Sequence, residues 1–173
     1  MLLAFTGNGK GKTTAALGNA LRILGAKKRA LMVQFIKGPW RSGEHASVTR
    51  LGPDFKIIST GKGFVGILGD SLSFEEHMVA VEKGFTITKK EIASGAYHLL
   101  ILDEIHNAIA LGLIPVSFVL SFLDYAKDKV EHIITTGRDA PKEILERAGL
   151  VTEMRAVKHP FEKGEKAVQG LDF

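Results

Sequence analysis

The chain has 173 residues, of which 45% are hydrophobic and 24% charged, with a formal net charge of +4 and no cysteine. That length supports one domain with a good core but not two nucleotide-binding lobes, and no apolar stretch approaches the roughly 20 residues needed to span a bilayer. The absence of cysteine excludes a disulfide frame, a thiol nucleophile and a Cys-based metal site, while the scattering of short basic clusters such as Lys27-Lys28-Arg29 argues against a nucleic-acid face.

Met1 leads straight into an apolar, strand-like run over residues 2–5, without the basic segment, apolar core and cleavage site of a secretion signal, so a cytoplasmic location is expected. Next comes Thr6-Gly7-Asn8-Gly9-Lys10-Gly11-Lys12-Thr13-Thr14. Glycines at this density let the backbone turn several N–H groups toward one anion, and the helix expected over residues 13–24, closed by Gly25, adds the partial positive charge of its N-terminus. Lys12 neutralises phosphate oxygens and Thr13 offers a hydroxyl to Mg²⁺, which makes a nucleoside triphosphate the expected ligand. The usual pattern places four residues between its first glycine and the Gly-Lys pair. Here Gly7 and Gly11 enclose only Asn8, Gly9 and Lys10, and Thr6 occupies the first-glycine position, so the loop is a variant.

Apolar, β-branched runs recur over residues 30–36, 55–59, 99–102 and 132–136, separated by helical stretches. Such alternation predicts a mostly parallel sheet covered on both faces; with the phosphate loop at its start, the expected fold is a single three-layer α/β domain of the RecA-like phosphate-loop NTPase kind spanning residues 1–173. Ser73 and Glu76 form a capping box, after which Met78, Val81, Phe85 and Ile92 share one helical stripe. Pro115 begins another helix, with Val116, Val119, Leu120 and Leu123 on one face, and Asp139 with Pro141 opens a short one that ends before Gly149. Residues 61–69 and the tail over residues 158–173, expected to pack on the domain, read as loops. The first carries Phe64, Val65, Ile67 and Leu68, so it either tucks into the core or lines an apolar ligand.

The run Leu99-Leu100-Ile101-Leu102 ends on Asp103-Glu104, the position at which a phosphate-loop protein sets an acid beside Mg²⁺. Side chains alternate along a strand, so one of the two points at the metal. Asp103 is the expected ligand, directly or through water, and Glu104 orients water, the metal shell or nucleotide. Asp103-Glu104-Ile105-His106 also spells the acidic box of some helicases, but those bind nucleic acid across two lobes, and His106 reads as a helix-start or supporting residue. The other five histidines are too scattered for a metal cluster. On these residues alone, a nucleotide-dependent switch or regulator and an ordinary phosphotransferase or ATPase both stay open.

Taken together, the run from Thr6 to Thr14, Val33-Gln-Phe-Ile-Lys-Gly38, Leu102-Asp-Glu104, Thr136-Gly-Arg138, and the tail with Val157-Lys-His-Pro-Phe161 and Gly170-Leu-Asp-Phe173 resemble the ATP:corrinoid adenosyltransferase family nearly end to end. The resemblance implies transfer of the 5′-deoxyadenosyl group of ATP to the cobalt(I) of a corrinoid with release of triphosphate, in adenosylcobalamin synthesis or salvage, with Mg²⁺ or Mn²⁺. In that family the triphosphate lies in the reverse sense, so that the ribose C5′ faces the reaction partner. By the same likeness Lys12 is the catalytic cation, Thr6 to Thr14 contact nucleotide, Arg22 and Glu104 lie near it, and Thr13 and Asp103 serve the metal. A reduced flavodoxin-like protein or free reduced flavin supplies the electron that makes cobalt(I), and aromatic residues in the loop after the third strand displace the lower axial ligand. Phe64 suits that role, whereas the family's nearby tryptophan is absent and Val65, Ile67 and Leu68 stand instead, so these four are the expected corrinoid-binding residues. The chain also starts on its first strand, without the N-terminal extension that in some members folds over a dimer mate. A homodimer is implied, and Trp40 is placed for nucleotide or corrinoid contact or for loop packing.

Overall fold

The computed structural model describes residues 1–38, 42–63, 65–66, 70–160 and 164–171. In chain order the elements are β1 (Leu2–Thr6), α1 (Lys12–Gly25), β2 (Ala30–Gln34), α2 (Gly43–Leu51), β3 (Phe55–Ser59), α3 (Phe74–Ile92), β4 (Leu99–Asp103), α4 (Ile105–Ala110), α5 (Val116–Ala126), β5 (His132–Thr136), α6 (Lys142–Arg147) and β6 (Leu150–Glu153). The six strands form one sheet in the order β3-β2-β4-β5-β1-β6, and every pairing is parallel. All strands therefore end at the same edge, where the segments leaving β1, β2, β4 and β5 converge.

Strand periodicity divides the core in two, as expected for a parallel sheet buried on both faces. Phe5, Met32, Ile101 and Ile134 pack with Ala16 and Ala20 of α1 on one side, with Val48 of α2 against the same cluster. Ala4, Val33, Leu102 and Ile133 face the other way, toward Val81 and Phe85 of α3, Ile105 of α4, Val119 and Phe122 of α5 and Ile144 of α6. Phe85 is the hinge of that layer, its ring centroid 4.8 Å from Phe35, 5.1 Å from Phe118 and 4.8 Å from Phe122, so α3 and α5 are locked onto the chain leaving β2. The expected layered α/β architecture with a largely parallel sheet is thus what the chain forms. The Ser73–Glu76 capping box is present at the start of α3. Among the described residues no helix is long and apolar enough to cross a membrane.

Three elements depart from the pattern read in the sequence. The first helix runs through Gly25 and is capped at Ala26, and the left-handed residue is Lys27 (φ 58°), after which the Lys28 N–H bonds back to the Ile23 carbonyl at 3.1 Å. Helix α2 carries no buried residue, so its apolar signal is faint. Strand β6 is four residues long and exposed throughout; it exists because it pairs with β1, not because its own side chains are buried.

Candidate functional site

Gly7 (φ 93°) and Gly11 (φ 113°) hold left-handed conformations that turn the chain out of β1 and into α1. Space as well as conformation demands glycine here. A Cβ on Gly7 would lie 2.4 Å from the Met154 carbonyl oxygen, and one on Gly9 would lie 2.7 Å from the Arg155 carbonyl carbon. The chain leaving β6 is laid across the loop: the Gly9 N–H donates to the Met154 carbonyl at 2.6 Å and the Met154 N–H to the Thr6 carbonyl at 2.8 Å. Lys12 Nζ folds back to donate to the carbonyls of Gly7 (2.6 Å) and Gly9 (2.7 Å), so its ammonium already has polar partners. Burial, then the nearby Arg138 guanidinium, pulls the Lys12 pKa below the ordinary lysine value.

A cavity of about 1020 Å³ opens over this loop. Residues 8–14 form one wall, Lys37, Glu104 and Arg138 bring charge from beyond the ends of β2, β4 and β5 and Glu44 from the first turn of α2, and Leu17, Leu21, Leu51 and Phe55 make an apolar end. His159, Gly170 and Leu171 of the tail reach its rim, where Lys10 Nζ donates to the Leu171 carbonyl at 2.6 Å. The space and the mixed lining suit a nucleotide with room for a second apolar body.

Behind Thr13, Asp103 is wholly buried, which pushes its pKa up, while donors oppose the shift. Thr136 Oγ1 donates to Asp103 Oδ1 at 2.7 Å and Thr13 Oγ1 to the same oxygen at 2.9 Å. Glu104 follows in a left-handed conformation (φ 61°) and is held there by its own N–H donating to Thr136 Oγ1 at 2.9 Å. Burial and the adjacent Asp103 charge push the Glu104 carboxyl up to about 7. Across the cavity, burial raises Glu44, but the hydrogen bonds of Lys37 and Ser42 outweigh it and hold that carboxyl at about 2. The loop bearing Arg138 is fixed by the Arg138 N–H donating to Asn107 Oδ1 at 3.0 Å.

Of the residues expected at a nucleotide site, Asn8, Gly9, Lys10, Gly11, Lys12, Thr13, Thr14 and Glu104 line this one cavity, and Asp103 reaches it through Thr13. Thr6 and Gly7 lie behind it; the Thr6 hydroxyl accepts the Ala140 N–H at 3.2 Å. Arg22 is exposed on α1 away from the lining, where Leu21 takes its place. Val65 packs against the core cluster under α3, the tucked-in alternative for its loop. Phe64, Ile67, Leu68 and Trp40 lie outside the described residues. His106 is a helix-start residue, as expected, on the first turn of α4. Gln34, Lys37, Glu44, Asn107, Thr136 and Arg138 join the site without having been picked out one by one. Gln34 had a signal of its own, a polar residue closing a fully buried strand.

The family model described as "ATP:corrinoid adenosyltransferase BtuR/CobO/CobP" matches residues 1–173. The corrinoid adenosyltransferase of Escherichia coli (strain K12) is 36% identical over 173 residues, covering 100% of this chain and 85% of that protein. The corrinoid adenosyltransferase CobA of Salmonella typhimurium (strain LT2) shows the same identity and coverage. The corrinoid adenosyltransferase of Pseudomonas aeruginosa is 34% identical over 173 residues, covering 100% of this chain and 83% of that protein.

Proposed function

This chain belongs to the ATP:corrinoid adenosyltransferase family, and from that premise we propose how its residues carry the reaction. The protein is an adenosyltransferase whose substrates are ATP and a corrinoid. The step is a displacement: the electron pair of cobalt(I) forms the bond to C5′ of ATP, the C5′–O bond breaks, and its electrons leave on the triphosphate. Cobalt(I) is itself the nucleophile, so the chain needs no serine, cysteine or general base. Its work is to position two substrates and to stabilise the charge that grows on the leaving group.

Lys12 supplies the central part of that stabilisation, exchanging the Gly7 and Gly9 carbonyls for phosphate oxygens, with Arg138 and Lys37 on the flanking walls. The observation that carries this reading is the pairing of Lys12 and Thr13 on one large cavity, with the buried Asp103 hydrogen-bonded to Thr13 behind it. The donor set also suits Mg²⁺. Thr13 and Asp103 offer the hard oxygens that Mg²⁺ prefers, and substrate phosphates would supply others. Bound there, Mg²⁺ would neutralise triphosphate charge. The apolar end at Leu17, Leu21, Leu51 and Phe55 suits the less polar parts of the substrates, while a corrinoid role for Phe64 rests on the family likeness. Family membership further supports a homodimer and a reduced flavodoxin-like electron donor.

Product analysis tests the reading. Under anaerobic conditions with Mg²⁺, ATP and chemically reduced cobalamin, triphosphate and a light-sensitive adenosyl corrinoid are expected in equal amounts. ADP as the nucleotide product would overturn it in favour of an ordinary phosphotransferase or ATPase.

A further inference from the structure

The residues closing four neighbouring strands form a single hydrogen-bonded row. Gln34 of β2 stands in register with Ser59 of β3 on one side and with Asp103 of β4 on the other, and Thr136 closes β5. Ser59 Oγ donates to Gln34 Oε1 at 2.8 Å, which fixes the amide with Nε2 as the donor. Nε2 is then shared between Asp103 Oδ2 and Glu44 Oε1, each at 3.2 Å. Asp103 Oδ1 already accepts from Thr13 and Thr136, so Gln34 is the partner of the other carboxylate oxygen. The row continues outward. Ser59 gives its one hydrogen to Gln34, so His45 Nε2 donates to Ser59 Oγ at 2.8 Å, and His45 Nδ1 accepts the Ser42 N–H at 3.3 Å.

Gln34 and Asp103 are both fully buried. Packing alone gives no reason for an amide at the end of the otherwise apolar β2, because a buried polar group costs free energy unless it is bonded. Here every hydrogen-bonding role of the side chain is spoken for, and two of its three bonds go to carboxylates, that of Glu44 on the cavity wall and that of Asp103 behind Thr13. We propose that Gln34 is a positioning residue for the reaction, holding the Asp103 carboxylate in one orientation beside Thr13 and tying it to Glu44 on the cavity wall. The inference rests on the reading of Asp103 as the acid that serves the metal–triphosphate. A residue that orients such an acid affects the metal-bearing nucleotide selectively, and substitutions of this kind typically cost about 10–100-fold in metal affinity.

The test compares the binding of Mn²⁺–ATP with that of ATP in excess chelator, by calorimetry, for the wild-type chain, Gln34→Met and Ser59→Ala. Methionine keeps the length and volume of glutamine but none of its hydrogen bonds. Gln34→Met is expected to weaken Mn²⁺–ATP about tenfold or more while metal-free ATP changes less than about twofold. Ser59→Ala, an exposed site that frees the amide without emptying the core, is expected to give a smaller loss in the same direction. Equal losses for both nucleotide forms, or no loss, would overturn the proposal. If Gln34→Met does not fold, Ser59→Ala decides alone, by a selective loss or an unchanged ratio. A wild-type chain that binds both forms equally rejects the metal reading of Asp103 and the proposal with it, whereas a metal preference that survives Gln34→Met rejects Gln34 only.

Discussion

His106 shows how the site constrains a single side chain. Its ring is fully buried, Nδ1–H donates to the Gly137 carbonyl at 3.3 Å, and Nε2 has no hydrogen-bond partner among the described residues. Protonation would bury an unpaired N–H and a charge, so burial lowers its pKa from 6.5 to about 4. The folded state thus resists a proton that the unfolded chain accepts. Stability from this group is fully present above about pH 6.5, falls between about 6.5 and 4, and changes no further below that, a loss of ~3 kcal/mol in all. Urea unfolding of the wild-type chain and His106→Leu at pH 7 and pH 4.5 measures this: the variant, destabilised at pH 7, is expected to lose less on acidification. An identical acid dependence in both would show that His106 does not titrate in this way. The sequence marked His106 as a helix-start residue, and the structure adds that its side chain braces the turn carrying Arg138.

At the scale of elements, the phosphate loop is shaped from two directions. Its glycines were read as an anion cradle, and the structure adds that the chain leaving β6 occupies the space their side chains would take. Gly9→Ala is therefore expected to push residues 153–155 off the loop, at ~1–3 kcal/mol of stability and with a raised KM for ATP. Thermal unfolding and ATP saturation kinetics check it, and unchanged values in both would mean that the contact yields without cost. The segment between β3 and α3 is tied down on either side of Phe64: the Gly63 N–H donates to the Ile36 carbonyl at 3.1 Å, Val65 packs on the core, and Asp70 accepts the Gly66 N–H at 2.8 Å. Asp70 also meets the buried His77 of α3 at 3.1 Å. Phe64 itself lies outside the described residues, and its proposed corrinoid role rests on the family likeness. Phe64→Ala is expected to slow adenosylation that starts from the +2 corrinoid more than adenosylation of pre-reduced +1 corrinoid; equal slowing in parallel assays would reduce Phe64 to a packing role. The long, strongly periodic elements were legible because their apolar faces are buried. Strand β6 and helix α2 were not, since they bury little and exist through β1 pairing and the Ser42 cap.

For the molecule as a whole, one topological fact assembles the site. Strand β5 lies between β1 and β4, so the loop after β1 and the acid ending β4 are held apart by one strand, whose last residue, Thr136, bonds to Asp103. The two halves of the site were readable in the sequence as motifs, because each is a local pattern. Gln34 and Thr136 stood in the sequence only as members of the motifs of the family likeness, and how they and Ser59 join the two halves was not readable, since they meet only through the register of parallel strands distant in the chain. Stabilisation of a departing triphosphate by Lys12 in this cavity, while a corrinoid receives the adenosyl group, is the chemistry the fold is proposed to serve. Its most direct test is the single-turnover rate of adenosyl corrinoid formation from pre-reduced corrinoid and saturating Mg²⁺–ATP in the wild-type chain and Lys12→Ala. A fall of about 10²–10³-fold, with triphosphate and adenosyl corrinoid still formed one to one in the residual reaction, is the expected result; a rate within a few fold of wild type would contradict the account.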